Sequence, residues 1–549
     1  MELTRRSLAA AALFAAPSNA FAQSLAQGAF THGVASGDPL PDRVILWTRF
    51  VSPGDGRIAW EVAEDEAFAR IVSRGEANAR FANDYCVKVD AGGLTPGRPY
   101  FYRFRSASGA SETGRTITAP REGAERLTIA VFSCANYGWG YFHPYGHAAA
   151  REDIDLIIHT GDYIYELPRN VYPSANETAP GRIIDPVTET VTLHDYYQRY
   201  AVYHTDPRLL ALRRLKPMSA VWDDHEFANN TWRDGAQNHQ PATEGDFYVR
   251  MAAAAKAYFD WMPIRRPEPQ SLRIYRSLDW GDLARIVLID TRLIGRDQEL
   301  DLRPIIRDIA QGGDDARAAA QAFRAQSLDD PNRSMLGPAQ EAWFAGELTG
   351  SKQRGQPWQI VAQQLVVADQ RAENITRFLP PETGAGGRAW FENGERLTAL
   401  GLPWNSDAWA GYPPARTRFL QACTDHASNA VILGGDTHNC WLNNLAAPGA
   451  NRLAAIEFAG GSVGSPGMER SLRNAAVGER EAAMQAANPQ LAFCDVTHRG
   501  YGVLSFTRTA CEAEWLAFSD ITSPQAPAPH ITRIASAASA AAGPGGWAL

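Results

Sequence analysis

Cysteine is scarce in this chain, with six residues in 549. That is too few for disulfides to be its main staple, even in an exported protein. If Cys134 binds metal, then Cys86, Cys423, Cys440, Cys494 and Cys511 remain, an odd set that leaves at least one free thiol. Positive charge is also short. Lys and Arg total 53 against 61 Asp and Glu, a formal charge of −8. This gives no electrostatic case for a nucleic-acid partner, which wants a basic face, and it is compatible with holding cations. No segment reaches the roughly 20 apolar residues of a bilayer span. Internal repeats are missing, and a covalent Ser or Thr nucleophile is not expected.

The chain is rich where a large packed interior needs it, at 45% hydrophobic and 10% aromatic residues. Its length exceeds the usual size of one core, so two domains are expected. Residues 1–22 read as a leader. Thr4-Arg5-Arg6-Ser7-Leu8 precedes the apolar run Ala9–Ala16, then Pro17 and the small-residue site Ala20-Phe-Ala22. An ordinary secretory signal with two arginines is one reading. The adjacent pair and the mild Ala-rich run favour twin-arginine export, which carries folded proteins and would place the chain in the periplasm or outside.

Residues 28–120 read as an all-β unit. Val44–Thr48, Ile58–Val62, Tyr85–Val89, Tyr100–Arg105 and Gly114–Thr118 are strand-like, with Gly, Pro and Asp between them. Leu94-Thr-Pro-Gly97 before Tyr100-Phe-Tyr102 resembles the tyrosine corner of a fibronectin III-like sandwich. From 125 to 523, short apolar runs alternate with helical patterns over His143–Arg151, His194–Val202, Tyr248–Trp261, Pro338–Leu348 and Pro414–His426. This alternation predicts an α/β domain with its sites at strand carboxyl ends. Residues 297–335 and 371–400 read either as site-covering loops or as surface insertions, the latter favoured except near the pocket. The Ala/Pro/Gly-rich tail, 524–549, is expected to be mobile or loosely docked.

Four of the apolar runs end in metal-type ligands. Leu127–Ser133 leads into Cys134-Ala-Asn136, and Leu156–Thr160 into Gly161-Asp162-Tyr-Ile-Tyr165. Ala220–Trp222 leads into Asp223-Asp224-His225-Glu226, and Val431–Leu433 into Gly434-Gly435-Asp436-Thr-His438. A carboxylate such as Asp162 can bridge two cations, and Tyr165 can become a phenolate beside a strongly Lewis-acidic ion. Asp162 can equally be a helix N-cap with Tyr165 in the core. Cys134 beside Asn136 offers a soft and a hard donor, although a strand-end Cys is usually just a buried small residue. The Asp-Asp-His-Glu run would be costly to bury unpaired. It is either an exposed turn or a coordinating loop in which His225 is a ligand or a proton donor. Asp436 and His438 project from one loop and can serve neighbouring ions. Four such strand ends together point to a polymetal hydrolase.

In this order, strand-Gly-Asp-x-x-Tyr, Asp-Asp-His-Glu and Gly-Asp-x-His resemble the calcineurin-like metallophosphoesterases. More narrowly they resemble the PhoD-type alkaline phosphatase/phospholipase D family. Phe30-Thr-His-Gly33-Val-Ala-Ser36-Gly-Asp38-Pro, Trp409-Ala-Gly411-Tyr412-Pro413 and Arg499-Gly500-Tyr501 agree with it. The resemblance implies a four-layer αββα catalytic sandwich behind the small β-sandwich, with Fe³⁺ and Ca²⁺ in the site. Cys134, Asp162 and Tyr165 match iron-binding positions, and Asp162 would bridge to calcium. Asn136, Asp224, Asp436 and His438 match the remaining ligand positions, undivided between the ions. His225 and Asp162 are the expected catalytic residues. The implied activity is hydrolysis of phosphate monoesters and diesters by a metal-activated hydroxide. A phospholipase D-like diesterase and a non-catalytic calcium-stabilised binding protein are the alternatives. Trp139, Tyr141, Trp409 and Tyr412 are candidate pocket walls.

Overall fold

The computed structural model of the chain describes residues 28–269, 271–310, 312–525, 527–539 and 543–549. The expected leader, 1–22, lies outside the described residues. Two large sheets organise the remainder. The first has nine strands in the order His530–Ala538, Ala510–Phe518, Arg499–Phe506, Leu127–Phe132, Leu156–His159, Met218–Ala220, Ala29–Leu40, Arg43–Val51 and Cys86–Gly92. Leu127–Phe132, Leu156–His159 and Met218–Ala220 are neighbours running parallel, so their carboxyl ends open on one edge. All three are buried on both faces, as their continuous apolar sequence requires.

The second sheet has seven strands in the order Arg276–Trp280, Ala284–Leu288, Trp358–Ala362, Ala430–Gly434, Ala455–Gly460, Cys440–Leu445 and Leu491–Asp495. Alternate residues of the two sheets feed one apolar cluster: Ile129, Val131 and Ile158 from the first meet Ile286, Ile360, Val431 and Leu433 from the second. The intervening residues point the other way. Ala130, Phe132 and Ile157 pack with Tyr196, Tyr200, Leu209 and Trp261 of the helices Leu193–Tyr203, Pro207–Leu215 and Phe247–Trp261. Val287, Val361 and Ile432 pack with Phe344, Leu348, Phe419 and Leu420 of Pro338–Gln353 and Pro413–His426. The period of two along each strand thus sorts side chains between sheet and helix. Helix starts obey local chemistry. Thr192 and Asp195 form a capping box, and Asp206 caps a helix whose first residue is Pro207.

Three of the N-terminal strands do not form a sheet of their own. Ala29–Leu40, Arg43–Val51 and Cys86–Gly92 extend the nine-stranded sheet, joined where Gly37 pairs with Met218. Their other face packs, through Val34, Val44, Leu46 and Val87, on Ile58, Val62, Tyr100 and Phe104 of a five-stranded sheet. Tyr100 Oη accepts the Thr95 N–H at 2.9 Å. A Cβ on Gly37 would lie 2.0 Å from the Pro263 carbonyl oxygen and 2.3 Å from that of Met218, so only glycine fits the seam. Asp38, beside it, is buried and binds Arg276 through both oxygens at 2.8 Å.

One expectation is corrected. The tail is docked: His530–Ala538 forms the edge of the nine-stranded sheet, and Trp547 is buried with its Nε1–H on the Glu457 carbonyl at 3.0 Å. Residues 371–400 contain the helix Ala385–Ala399, which borders the site. All six cysteines are free and buried.

Candidate metal centre

Four strand ends converge. Leu127–Phe132 delivers Cys134, Leu156–His159 delivers Asp162, Met218–Ala220 delivers Asp223 and Asp224, and Ala430–Gly434 of the other sheet delivers Asp436 and His438. Cys134, Asp162, Asp436 and His438 have φ of +54°, +55°, +61° and +54°. Left-handed backbone at a non-glycine residue costs roughly 1–3 kcal/mol and persists where surroundings over-determine it. Those surroundings are visible. The Cys134 carbonyl accepts Ser462 Oγ–H at 3.0 Å and Ser465 Oγ–H at 3.1 Å. The buried Glu226 carboxylate accepts the N–H groups of Asp162 (3.1 Å), Tyr163 (2.7 Å) and Asp223 (2.8 Å), locking two of the turns together. Gly161 is needed because a Cβ there would stand 2.4 Å from Asp223 Cβ.

The donor atoms fall into three groups whose members all lie within 4.8 Å of one another: Cys134, Asp162 and His438; Asp162, Asp224 and His225; and Asp223, Asp224 and Asp436. Tyr165 joins the first. Its hydroxyl donates to Asp162 Oδ2 at 2.9 Å and lies 2.7 Å from Ser465 Oγ, whose one O–H it shares with the Cys134 carbonyl, and 3.3 Å from His438 Nε2. His438 Nδ1 is 2.9 Å from the Pro466 carbonyl, which fixes the proton there and leaves Nε2 as the free lone pair. His225 Nδ1 meets Glu166 Oε2 at 2.6 Å, and the ring lines a cavity of about 470 Å³ with Asp224, Asp436, His438 and Tyr172. Asn136 stands beside these groups. Its Nδ2 donates to the Tyr172 carbonyl at 3.2 Å and its Oδ1 accepts the Gly138 N–H at 3.1 Å.

The electrostatics are those of too many acids in too little water. Burial, with neighbouring Asp224, Asp223 and Glu226, pushes Asp162 well up despite His225. Burial raises Asp436 to about 7 and Glu226 to about 8. It also raises Cys134 and Tyr165, with Asp162 adding to both, and lowers His438 to about 3. Burial works against Asp224 too, yet Arg292 and His225 hold it down at about 2. His225 is held well above its ordinary value by Glu166, Asp224 and Asp162, against its burial. Asp162 Oδ1, Asp223 Oδ2 and Asp224 Oδ1 are buried with no hydrogen-bond partner among the described residues. An orphaned buried acceptor costs about 1–3 kcal/mol, a cost that a cation removes. The residues therefore fit bound metal, and the donor sets differ: sulfur, nitrogen, phenol and carboxylate around Cys134, oxygen only around Asp223, Asp224 and Asp436.

Neither bland alternative holds here. Asp162 caps no helix, and Asp223, Asp224, His225 and Glu226 are all buried. Several residues escape sequence reasoning. Nothing in the Asp-Asp-His-Glu run marks Asp223 as a ligand or Glu226 as a brace. Arg292 stands just past a fifth strand end, that of Ala284–Leu288, and is fully buried. Its Nε bonds Asp223 Oδ1, its Nη1 bonds both oxygens of Asp407 at 2.8 and 3.0 Å, and its Nη2 lies 3.4 Å from Asp224. Its place beyond a parallel strand, among Asp290, Thr291 and Arg292, is the one signal that could have found it. A Gly-x-Ser-x-Gly spacing also exists at Gly460–Gly464. Its Ser462 hydroxyl is spent on the Cys134 carbonyl and the Ser465 N–H. Of the expected pocket walls, Trp409 and Tyr412 are core residues, and neither they nor Trp139 and Tyr141 line the cavities beside the site.

The family model of the PhoD-like phosphatase matches residues 129–515, and that of the PhoD-like phosphatase N-terminal domain matches residues 15–120. Alkaline phosphatase D of Bacillus subtilis (strain 168) is 32% identical over 515 residues, which is 90% of this chain and 79% of that one. The solved structure of PhoD superposes with a TM-score of 0.73 at 30% identity, covering 93% of this chain and 90% of that chain. Strand-end carboxylates on such a scaffold make the protein a phosphoric ester hydrolase. The chain belongs to the PhoD-like phosphatase family.

Proposed function

We propose that this is an exported, metal-dependent phosphatase that hydrolyses phosphate monoesters and diesters by direct attack of water on phosphorus. The carrying observation is the set of three buried carboxylate oxygens, on Asp162, Asp223 and Asp224, that have no hydrogen-bond partner among the described residues, beside the Cys134–Tyr165–His438 group. In this reading Cys134, Asp162, Tyr165 and His438 hold Fe³⁺, since thiolate and phenolate suit a trivalent transition ion. Asp162, Asp224 and Asp436, with Asp223, hold Ca²⁺, which takes hard oxygen donors. Asn136 can reach a cation only through the lone pair that Gly138 leaves. Bound there, the cations would neutralise phosphate charge and lower the pKa of the attacking water.

The chain's own groups do the rest. His225, held through Nδ1 by Glu166, has Nε2 available to protonate the departing alkoxide. Arg292 keeps Asp224 ionised and holds Asp223 in place for a cation. Glu226 and Ser465 fix the turns that carry Asp162, Tyr165 and Cys134. The same proposal covers architecture. The clusters on either side of the two large sheets support a four-layer αββα catalytic unit, and the Tyr100–Thr95 contact supports a fibronectin III-like unit over 28–120. For export, Arg5-Arg6 changed to Lys-Lys should leave the protein in the cytoplasm if the twin-arginine route is used, and normal export would refute that route.

The test is a metal-analysed activity panel. p-Nitrophenyl phosphate, its bis-ester and phosphatidylcholine are compared with and without added Ca²⁺. Hydrolysis of the first two that depends on metal is expected, and a preference for phosphatidylcholine would favour the phospholipase D-like reading. Asp162→Asn should abolish both turnover and metal retention. Near-normal activity of that variant would remove Asp162 from the centre.

A further inference from the structure

A second cavity, of about 510 Å³, opens directly beside the metal-type cluster, and Asp436 and His438 form part of its wall. Its other walls are mostly aromatic and apolar, with Gln370, Asn405, Thr437, Asn439 and Ser471 among them. Trp390 and Trp404 lie with ring centroids 4.8 Å apart, Phe391 is 4.7 Å from Trp390, and Trp441, Val366 and Met468 complete the surround. Trp390 is 53% exposed, so its indole is not placed by the core. It sits on the helix Ala385–Ala399, whose Gly394 makes room for Trp404: a Cβ there would stand 2.6 Å from that indole. Three buried side-chain donors of the lining, Trp404 Nε1, Asn439 Nδ2 and Gln370 Nε2, have no hydrogen-bond partner among the described residues. No Lys or Arg is among the described lining residues.

A half-exposed Trp390 beside a partly buried Trp404 whose N–H is unused, at the mouth of a phosphate-ester site, is built to receive something flat. The two indoles are tilted 51° to one another, and the half-exposed Trp390 leaves a ring face on which an aromatic group can pack. Donors without partners want acceptors on the ligand. An anionic group would find no fixed cation here and would face Asp436. Resting on the phosphatase reading above, we propose that this cavity binds the organic group of the phosphate ester, and that the group is an uncharged aromatic ring bearing hydrogen-bond acceptors. Trp390 and Trp404 are then specificity-determining residues, and the phosphoryl group sits at the shared wall of Asp436 and His438.

The test uses the metal-loaded full-length enzyme with p-nitrophenyl phosphate and glycerol phosphate as paired substrates. The intrinsic reactivity of each ester cancels when wild type is compared with variant. Trp404→Leu and the half-exposed Trp390→Ala should each lower kcat/KM for the aryl ester about tenfold relative to the glycerol ester, mainly through KM. As a non-reacting probe, phenylphosphonate should inhibit the wild type more tightly than methylphosphonate, and the gap should close in both variants. An equal fall for both substrates, or no change in their ratio, would overturn the proposal while leaving the phosphatase reading intact. A wild-type preference for phosphocholine over the aryl ester, lost in the same variants, would overturn it in favour of a cationic ligand. Failure of the wild type to hydrolyse any ester would instead sink the phosphatase reading itself.

Discussion

Arg292 shows how much of this site depends on one side chain. Its fully buried guanidinium bonds Asp223 and Asp407 and lies 3.4 Å from Asp224 and 4.0 Å from Asp436. Breaking a buried pair by removing one partner costs about 3–5 kcal/mol. Arg292→Met should therefore lose about that much stability in urea unfolding of the metal-free protein. Added Ca²⁺ should recover part of the loss, because a cation that binds only the folded state stabilises it by mass action. A variant as stable as wild type without metal would show that Arg292 is not the counter-ion of these acids. At this scale the sequence is generous with ligands and silent about supports. Asp162, Asp224, Asp436 and His438 announce themselves because polar residues cap apolar runs. Arg292, Glu166 and Ser465 act from elsewhere in the chain, and no local spacing links them to the residues they hold.

At the scale of elements, the parallel strands and their long amphipathic neighbours are legible, since period and composition agree there. The strand Ala29–Leu40 is not, because His32, Gly33 and Asp38 in the left-handed region interrupt its alternation. The helix Ala385–Ala399 is hidden by its glycines, and its indole partner Trp404 lies outside it in sequence. One strand carries an internal acid with a consequence for stability. Glu457, in Ala455–Gly460, is fully buried and accepts the N–H groups of Val367 (2.6 Å) and Ala368 (3.2 Å). Burial raises its pKa from 4.5 to about 7, against those donors. The folded state therefore holds a proton that the unfolded chain releases. This group's stabilisation is full below pH 4.5 and is lost as pH rises through 7. The shift corresponds to about 3 kcal/mol. Glu457→Gln should remove that part of the stability slope between pH 4.5 and 7, whatever constant offset it adds. An unchanged difference between wild type and variant across that window would mean Glu457 is ionised in the fold.

On the scale of the whole molecule, the nine-stranded sheet runs from the docked tail, through the strands that carry Cys134, Asp162 and Asp224, into the N-terminal strands. A boundary near residue 120 is readable from the turn-rich sequence there, but a shared sheet is not, because a single parallel pairing at Gly37 and Met218 makes the join. Asp38 seals it, bonding Arg276, Ser219 Oγ at 2.7 Å and the Arg265 N–H at 2.6 Å. The molecule should unfold in one calorimetric transition. Asp38→Ala should lower that transition as a unit, by about 3–5 kcal/mol, since it strands a buried guanidinium. Two separate transitions in the wild type would contradict the shared sheet. The central claim concerns the cluster at the middle of that sheet edge, and one spectrum tests it most directly. Purified, active protein should contain iron and show a visible tyrosinate-to-iron absorption band that disappears in Tyr165→Phe. Fully active protein that is colourless and free of iron would contradict the account.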